Sequence, residues 1–528
     1  MAFISSSSWL YVSILLIFIV LDYSLRGAIN MVINAGVLRL SSWFPFLSVL
    51  ATQHSEAVDV SWYPPKSTAI NNVDSLMNMT GVYGFIFNSS KTPDAQYGIY
   101  NLCNMPHVRK TEYGIPSKEY KLQYVEVMHR HHKRTVYASN SFPVESYEWH
   151  CNDEGLFHFG QPVSGHSSAQ TYWDVFENPI NPFRAFGFKG TCTFPQITRE
   201  GLDDSWQHGR DIYGVYHDLL HFLPSQLDLE KLSFRVTSNV ITSQVASMVI
   251  NGMYNSEHAV PLAVESPSID SLEPKYLCPR SRNLFSAARI TPNTSWSKHL
   301  TLSAPLLAYL DSISGVSPDA QDWHQDVDHY FDNLSARLCH SKPLPCSLSD
   351  SSKCVSQADA DSIFRLGEFE YSYIYRDAPT SLAASAGSMG VFIAELAQHI
   401  RDQIAGNDGG RIYRHNVAHD GSLSRVLSVL QVDVMVWPGM GAEVVFELYR
   451  KLETEGEGSR NAATTRGDGN CGIGSYVVRV LFGGRVLTSS SPELGVLDMV
   501  PAEKLLGYFD ELVGERAAKV KGLCEERS

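Results

Sequence analysis

Beyond residue 120 the chain alternates short β-branched runs with amphipathic stretches, which restricts it to layered α/β folds. Residues 121–128 (KLQYVEVM) read as a strand, 202–223 as a helix stopped by Pro224, 232–235 as a second strand and 240–253 as a buried helix. The pattern resumes with helices at 391–404 and 423–430 and strands at 411–417, 442–449 and 476–482. Between these blocks, residues 265–380 are richer in Ser, Pro and Cys, with short helical stretches at 299–312 and 319–335. The expected architecture is an α/β sandwich over residues 58–528, with core segments at about 120–264 and 380–520 and a mainly helical cap inserted at about 265–379.

Composition narrows the function classes. The 528 residues carry 42 Lys+Arg against 56 Asp+Glu, a formal charge of −14, with 44% hydrophobic and 11% aromatic residues. Such a chain has material for a core, unlike a disordered one. The acidic balance argues against a general nucleic-acid binder. No apolar run long enough for a membrane span follows the first fifty residues, which excludes a polytopic membrane protein. Residues 9–21 (WLYVSILLIFIVL) fit a signal-peptide core, without a basic segment before them. A second start at Met31 places Arg39 ahead of the apolar WFPFLSVLA, with Ala51 near a cleavage point. Residues 1–56 are therefore expected to be a signal peptide or an uncleaved signal anchor, and the chain to enter the secretory pathway as a secreted, lumenal or membrane-anchored protein.

Export agrees with the sequons at Asn78, Asn88, Asn293 and Asn333, expected glycosylation sites. It agrees also with nine cysteines, an odd number that leaves at least one unpaired. Cys524, in a charged tail, is the expected spare. Cys339, Cys346 and Cys354 lack the tight knuckle of a metal site and are expected in disulfides.

Two short segments carry the chemistry. Arg130-His131-His132-Lys133-Arg134 follows the first strand directly, where α/β sheets collect reactive groups. Arginines grip phosphate oxygens bidentately, and an unprotonated imidazole between them can attack phosphorus. Alone, the segment also reads as a solvated basic turn. His419-Asp420 again follows a strand and precedes a helix. The imidazole can donate to a phosphate oxygen and the carboxyl can protonate a leaving alkoxide, although Asp420 also suits a helix N-cap. His217-Asp218 is the same dipeptide inside a helix.

These motifs resemble those of the histidine acid phosphatases, a branch of the histidine phosphatase superfamily. The family carries R-H-G-x-R-x-P after its first core strand, and residues 130–136 read RHHKRTV. Its late H-D pair matches His419-Asp420. Residues 194–213 resemble the family's L-T-x-x-G…G-x-x-x-R-x-x-Y stretch, with Thr198, Gly201, Gly209, Arg210 and Tyr213 in place. Residues 437–449 (WPGMGAEVVFELY) resemble its P-x-[AG]-x-E-[LV]-x-F-E-L strand. The resemblance covers roughly residues 58–515. It implies a phosphoglycerate mutase-like three-layer α/β/α sandwich and an acid phosphatase, a phosphomonoester hydrolase working through a phosphohistidine. His131 would be the nucleophile, Arg130, Arg134 and His419 phosphate ligands, and Asp420 the proton donor. It implies no metal or organic cofactor and a small phosphorylated substrate as the partner.

Three departures stand out. His132 replaces the family's Gly, and with Arg235 it is a candidate for the phosphate pocket. Val136 replaces the Pro. Residues 234–242 (FRVTSNVIT) match the family's V-R-S-T-D-x-x-R-T, and Ile241 falls where a third phosphate arginine belongs. The alternative reading is therefore a catalytically silent relative that binds a phosphorylated ligand or a protein partner. Which cation fills the space left by Ile241 discriminates the two, the candidates being Arg210, Arg235 and Lys133. A metal site from His129, His131 and His132 with His217 and His221 is disfavoured by the interleaved cations. The letters Gly467-x-Gly469-x-x-Gly472 lack a preceding strand and a following helix. Residues 386–390 (AGSMG) lack the strand of a nucleophile elbow.

Overall fold

The computed structural model describes residues 58–82, 101–144, 148–151, 190–256, 259–292, 294–452 and 475–526, with scattered positions between 157 and 182. The leader reading, the sequons at Asn88 and Asn293, Cys471 and the glycine-rich loop at 453–474 lie outside these residues.

The main sheet is built from β1 (Tyr120–Arg130), β2 (Leu232–Val236), β3 (Leu262–Val264), β4 (Tyr413–Ala418), β5 (Glu443–Lys451), β6 (Tyr476–Phe482), β7 (Arg485–Val486) and β8 (Val500–Pro501). The strand order is β8-β6-β5-β1-β4-β2-β3, with β7 pairing on β6. β1, β4, β2 and β3 run parallel to their neighbours in that half. β5 pairs antiparallel with both β1 and β6, so the sheet is mixed. Burial along β1 is continuous from Tyr124 to Arg130, as expected of a strand covered on both faces.

Alternation along the strands feeds two separate apolar layers. Tyr124 and Met128 point to one side, with Phe446 and Val480, against the helices Ser381–Ala405, Asp420–Val429 and Ala502–Val513. Val125 and Val127 point to the other, with Phe234 and Val417, against Arg199–Tyr213 and Val240–Tyr254. Helices on both faces of one sheet make the α/β/α sandwich. The helices Ser295–Ser314, Asp328–Cys339 and Gln357–Ser372 gather around a third cluster that includes Leu310, Tyr330, Phe331, Phe364 and Trp437.

Several expected boundaries shift for local reasons. The helix expected at 202–223 starts at Arg199, where Thr198 caps it by accepting from Gly201 N–H, and at Gly214–Leu219 it widens into a π turn. The helix at 319–335 is two, Gln321–His324 and Asp328–Cys339. The helix at 391–404 begins ten residues earlier, at Ser381, so Ser388 sits inside it and no elbow exists there. Cysteine pairing corrects the spare: Cys524 bonds Cys278, and the other bridges are Cys103–Cys339, Cys151–Cys192 and Cys346–Cys354. The four bridges fit an oxidising compartment. Asn333 is 1% exposed, donates to the Asn140 carbonyl and accepts from Arg337, which leaves no room for a glycan in the folded chain, whereas Asn78 is exposed. Among the described residues no single helix is long and apolar enough to cross a membrane.

The motif glycine Gly209 and Gly252 on the facing helix acquire a packing reason. A Cβ on Gly209 would lie 2.1 Å from the Val249 carbonyl oxygen, and one on Gly252 equally 2.1 Å from that of Trp206. The helices Arg199–Tyr213 and Val240–Tyr254 thus touch backbone to backbone. Gly209→Ala is expected to cost about 1–3 kcal/mol by forcing them apart. Urea unfolding with the disulfides intact measures this, and a wild-type midpoint would mean the contact does not hold the pair.

Candidate active site

The site lies beyond the carboxyl ends of β1 and β4, where their parallel register pairs Arg130 with Ala418. The next residue on each strand is a histidine. His131 N–H donates to the Ala418 carbonyl, and the rings of His131 and His419 meet edge to face with centroids 5.5 Å apart. Both rings line a cavity of about 330 Å³ with Arg130, Arg134 and Asp420. A second cavity of about 310 Å³ adjoins it, sharing Asp328, Tyr371 and Trp437 as walls.

The imidazole of His131 has a defined tautomer. Its Nδ1 lies 2.9 Å from the His132 carbonyl oxygen, which can only accept, so Nδ1 carries the proton. The lone pair is then on Nε2. Burial, reinforced by Arg134, Arg130 and His419, holds this imidazole well below its ordinary pKa, hence neutral. His419 is also lowered, by burial first, against the opposing pull of Glu273 and Asp420. Its Nε2 stands 3.0 Å from the Thr237 hydroxyl.

Arginine placement comes from carboxylates. Arg130 pairs with Asp420 at 3.0 Å and donates to the Pro438 carbonyl at 2.7 Å. Arg134 pairs with Asp332 at 2.9 Å and lies over the Tyr137 ring at 4.1 Å. Both Nε–H groups are buried with no hydrogen-bond partner among the described residues, two donors available to an anion. Asp420 is the first residue of its helix and His419 the N-cap, so the carboxylate is not itself the cap. It accepts from Gly421 N–H and from Trp437 Nε1, the latter at 2.8 Å. Burial would raise this carboxyl, but Arg130 and the Trp437 bond outweigh burial and hold it below the usual carboxylate range. The helix N-terminus at Gly421 and Ser422 adds positive potential to the same wall.

Other expected residues fall elsewhere. Arg235 does not line the cavity: it is held by Glu265 and Glu395, each at 2.8 Å, with Asp270 at 3.4 Å. A β-strand position facing three carboxylates is an ion-pair sink. His132 turns inward, where its Nε2 meets His208 Nδ1 at 3.0 Å. Gly441, at φ +69°, gives it space, since a Cβ there would sit 2.4 Å from His132 Cε1. Ile241 is fully buried in the apolar layer below the sheet. Of the cations expected to replace it, Lys133 pairs with Asp204 at 2.9 Å, and neither Lys133 nor Arg210 lines the cavity. His217 bonds Asp218 and stacks on Tyr213, away from His129.

Sequence reasoning missed two cations that line the cavity, Lys275 and Arg425, of which Arg425 stands on the helix of the H-D pair. It lies five residues after Asp420 on the same helix, donates to the Gly421 carbonyl at 2.7 Å, and sits 5.2 Å from the Phe285 ring. Its position on the helix behind the H-D pair was the available signal. Asp332 and Trp437 were also missed, and both act by aiming a group already identified. Asp332→Asn is expected to weaken inorganic phosphate binding roughly 10-fold or more, by removing the charge-assisted partner that aims Arg134. Titration calorimetry with phosphate tests it; unchanged affinity would mean that Arg134 holds its place without Asp332.

No protein-family model matches the chain. Counting factor 60 of Dictyostelium discoideum is 24% identical over 345 residues, which span 62% of this chain and 76% of that protein. Among solved structures, the phytase of Klebsiella sp ASR1 superposes with a TM-score of 0.45 at 14% identity, over 76% of this chain and 96% of that one. The apo phytase of Hafnia alvei gives 0.47 at 10% identity, over 78% and 100%. The multiple inositol polyphosphate phosphatase of Bifidobacterium longum, with inositol hexasulfate, gives 0.42 at 10% identity, over 75% and 94%. These phytases and inositol polyphosphate phosphatases are histidine acid phosphatases, the group that the chain resembles in its motifs at residues 130–134 and 419–420.

Proposed function

We propose that this chain is a phosphomonoester hydrolase that works through a phosphohistidine on His131. The observation that carries the reading is the tautomer of that ring. With Nδ1–H committed to the His132 carbonyl, the Nε2 lone pair remains in a cavity lined by Arg130, Arg134 and Arg425. Neutral imidazole, unlike imidazolium, can attack.

In the first step Nε2 attacks phosphorus and the phosphorus–ester oxygen bond breaks. The departing alkoxide takes a proton from the Asp420 carboxyl. In the second, water attacks the phosphohistidine, Asp420 takes a proton from it, and inorganic phosphate leaves with the Nε2 lone pair restored. Arg130 and Arg134 neutralise the charge on the transferring group, and His419 adds a hydrogen bond. A phosphate that draws Arg130 away from Asp420 also removes the cation that keeps Asp420 ionised. The adjoining cavity gives room for the alcohol part of the ester, and the helical segment at 265–379 is the region in which substrate choice would reside. A secreted or lumenal location fits the disulfides.

His131→Ala is expected to lower turnover of p-nitrophenyl phosphate by roughly 10³-fold or more and to abolish acid-quenched phosphoenzyme. Substantial residual turnover in that variant rules out His131 as nucleophile. Asp420→Asn is expected to cost roughly 10²–10⁴-fold for alkyl phosphates, whose leaving groups need a proton. It costs much less for p-nitrophenyl phosphate, whose phenolate departs unaided. A loss independent of the leaving group would assign Asp420 to positioning Arg130 instead.

A further inference from the structure

Behind the nucleophile, on the side away from the cavity, lies a knot of buried imidazoles that the proposed phosphoryl chemistry does not use. We propose that His129, His132 and His208 form a structural binding site for one divalent transition-metal ion of borderline softness, zinc foremost. The three are completely buried, and their donor nitrogens lie within 4.8 Å of one another. A tetrahedral zinc site places imidazole nitrogens about 3.3 Å apart, so closure needs only small ring rotations.

In two of the three rings a hydrogen bond at one nitrogen leaves the lone pair on the other. His129 Nδ1 lies 2.8 Å from the Arg130 carbonyl oxygen and so carries its proton, leaving Nε2 as the donor to a metal. His208 Nε2 lies 3.0 Å from Glu443, a carboxyl with no exposure, leaving Nδ1 as the donor. A carbonyl behind His129 and a carboxyl behind His208 are the kind of support that metal-ligating histidines use. The third ring, His132, presents Nε2 to His208 Nδ1 at 3.0 Å. Its Nδ1 is buried with no partner among the described residues.

Without a metal the rings must satisfy one another. His415 donates from Nε2 to His129 Nε2 at 2.8 Å while accepting from the Tyr413 hydroxyl. His132 Nε2–H donates to His208 Nδ1. Coordination exchanges those imidazole–imidazole bonds for three metal–nitrogen bonds, with the His132 proton passing from Nε2 to Nδ1, and leaves His415 beside the site. The nearby Lys133 is already neutralised by Asp204. An imidazole set suits zinc, copper, iron or nickel over magnesium or calcium. The site also accounts for His132 at a turn position where the resembling phosphatases have glycine: the ring is a third ligand, and Gly441 clears its space.

The test is metal analysis of the full-length protein after passage over a chelating resin, by plasma mass spectrometry. Stoichiometric zinc is expected. Protein unfolded in denaturant with chelator, disulfides intact, and refolded with cobalt should show the visible absorption of tetrahedral cobalt. His208→Gln and His129→Gln should each lose the ion, and Glu443→Gln should weaken binding roughly 10–100-fold, with folding checked by circular dichroism. Absence of stoichiometric metal together with no cobalt uptake overturns the proposal. So does metal retained in full by both histidine variants. If the variants do not fold, X-ray absorption of the wild-type ion decides, because fewer than three imidazole nitrogens would place the metal elsewhere. Turnover of p-nitrophenyl phosphate enters none of these readouts, so this inference and the phosphatase reading fail separately.

Discussion

The parallel pairing of β1 with β4 holds the rest in place. Six residue pairs, from Val125–Tyr413 to Arg130–Ala418, fix two strands that are nearly three hundred residues apart in sequence. Side chains alternate along a strand, so a slip of one residue would send His129 toward the cavity floor and His131 into the core. The register is locked by what each face must bury. Val125 and Val127 fit one apolar layer and Tyr124 and Met128 the other, and no one-residue shift satisfies both. The chemistry therefore inherits its geometry from hydrophobic burial rather than from its own polar contacts.

Polar groups inside the sheet raise the same issue of specificity. Glu447, fully buried, accepts from the hydroxyls of Tyr216 at 2.6 Å, Tyr113 at 2.8 Å and Tyr449 at 3.0 Å. Glu126 accepts from Tyr124 at 2.6 Å, His399 at 3.0 Å and Asn416 at 3.1 Å. A buried carboxyl without such donors would cost several kcal/mol. With them it accepts one arrangement of neighbouring strands and penalises others. Strands β1, β4 and β5 each contribute to these clusters, so the central sheet is specified by polar matching as well as by its apolar faces.

The strands that carry His131 and His419 were legible because periodicity, a following basic or acidic motif and the order of elements all agree there. His131, Arg130, Arg134, His419 and Asp420 come together because each sits at or just past a strand end, a position that local sequence does encode. Arg425, Asp332 and Trp437 were not legible. Asp332 reaches Arg134 from a helix two hundred residues away, and nothing local marks it. Arg235 was misread for the opposite reason: its local motif was right, but Glu265, Asp270 and Glu395 arrive from elsewhere and claim it. Cys524 looked spare in its charged tail, yet the last helix docks beside Cys278, which no spacing rule foretells.

Ile241 bears on how the cavity binds an anion at all. With that position apolar and buried, Arg130, Arg134, Arg425 and Lys275 are the cations lining the cavity, against Glu273, Asp332 and Asp420, while burial pushes the Asp328 carboxyl up to about 8. Arg130 and Arg134 are paired with two of those carboxylates, and Lys275 lies 3.0 Å from Glu273. An arriving phosphate meets guanidinium groups that are already oriented, at no further entropic cost, but it competes with their partners. The competition is unequal. Asp332 is itself buried and remains beside Arg134, whereas the Asp420 carboxylate has Trp437 and Gly421 to fall back on when Arg130 turns to phosphate. On the proposed mechanism, weakening that one pair is what lets Asp420 take up a proton, so anion binding and acid catalysis would draw on the same salt bridge.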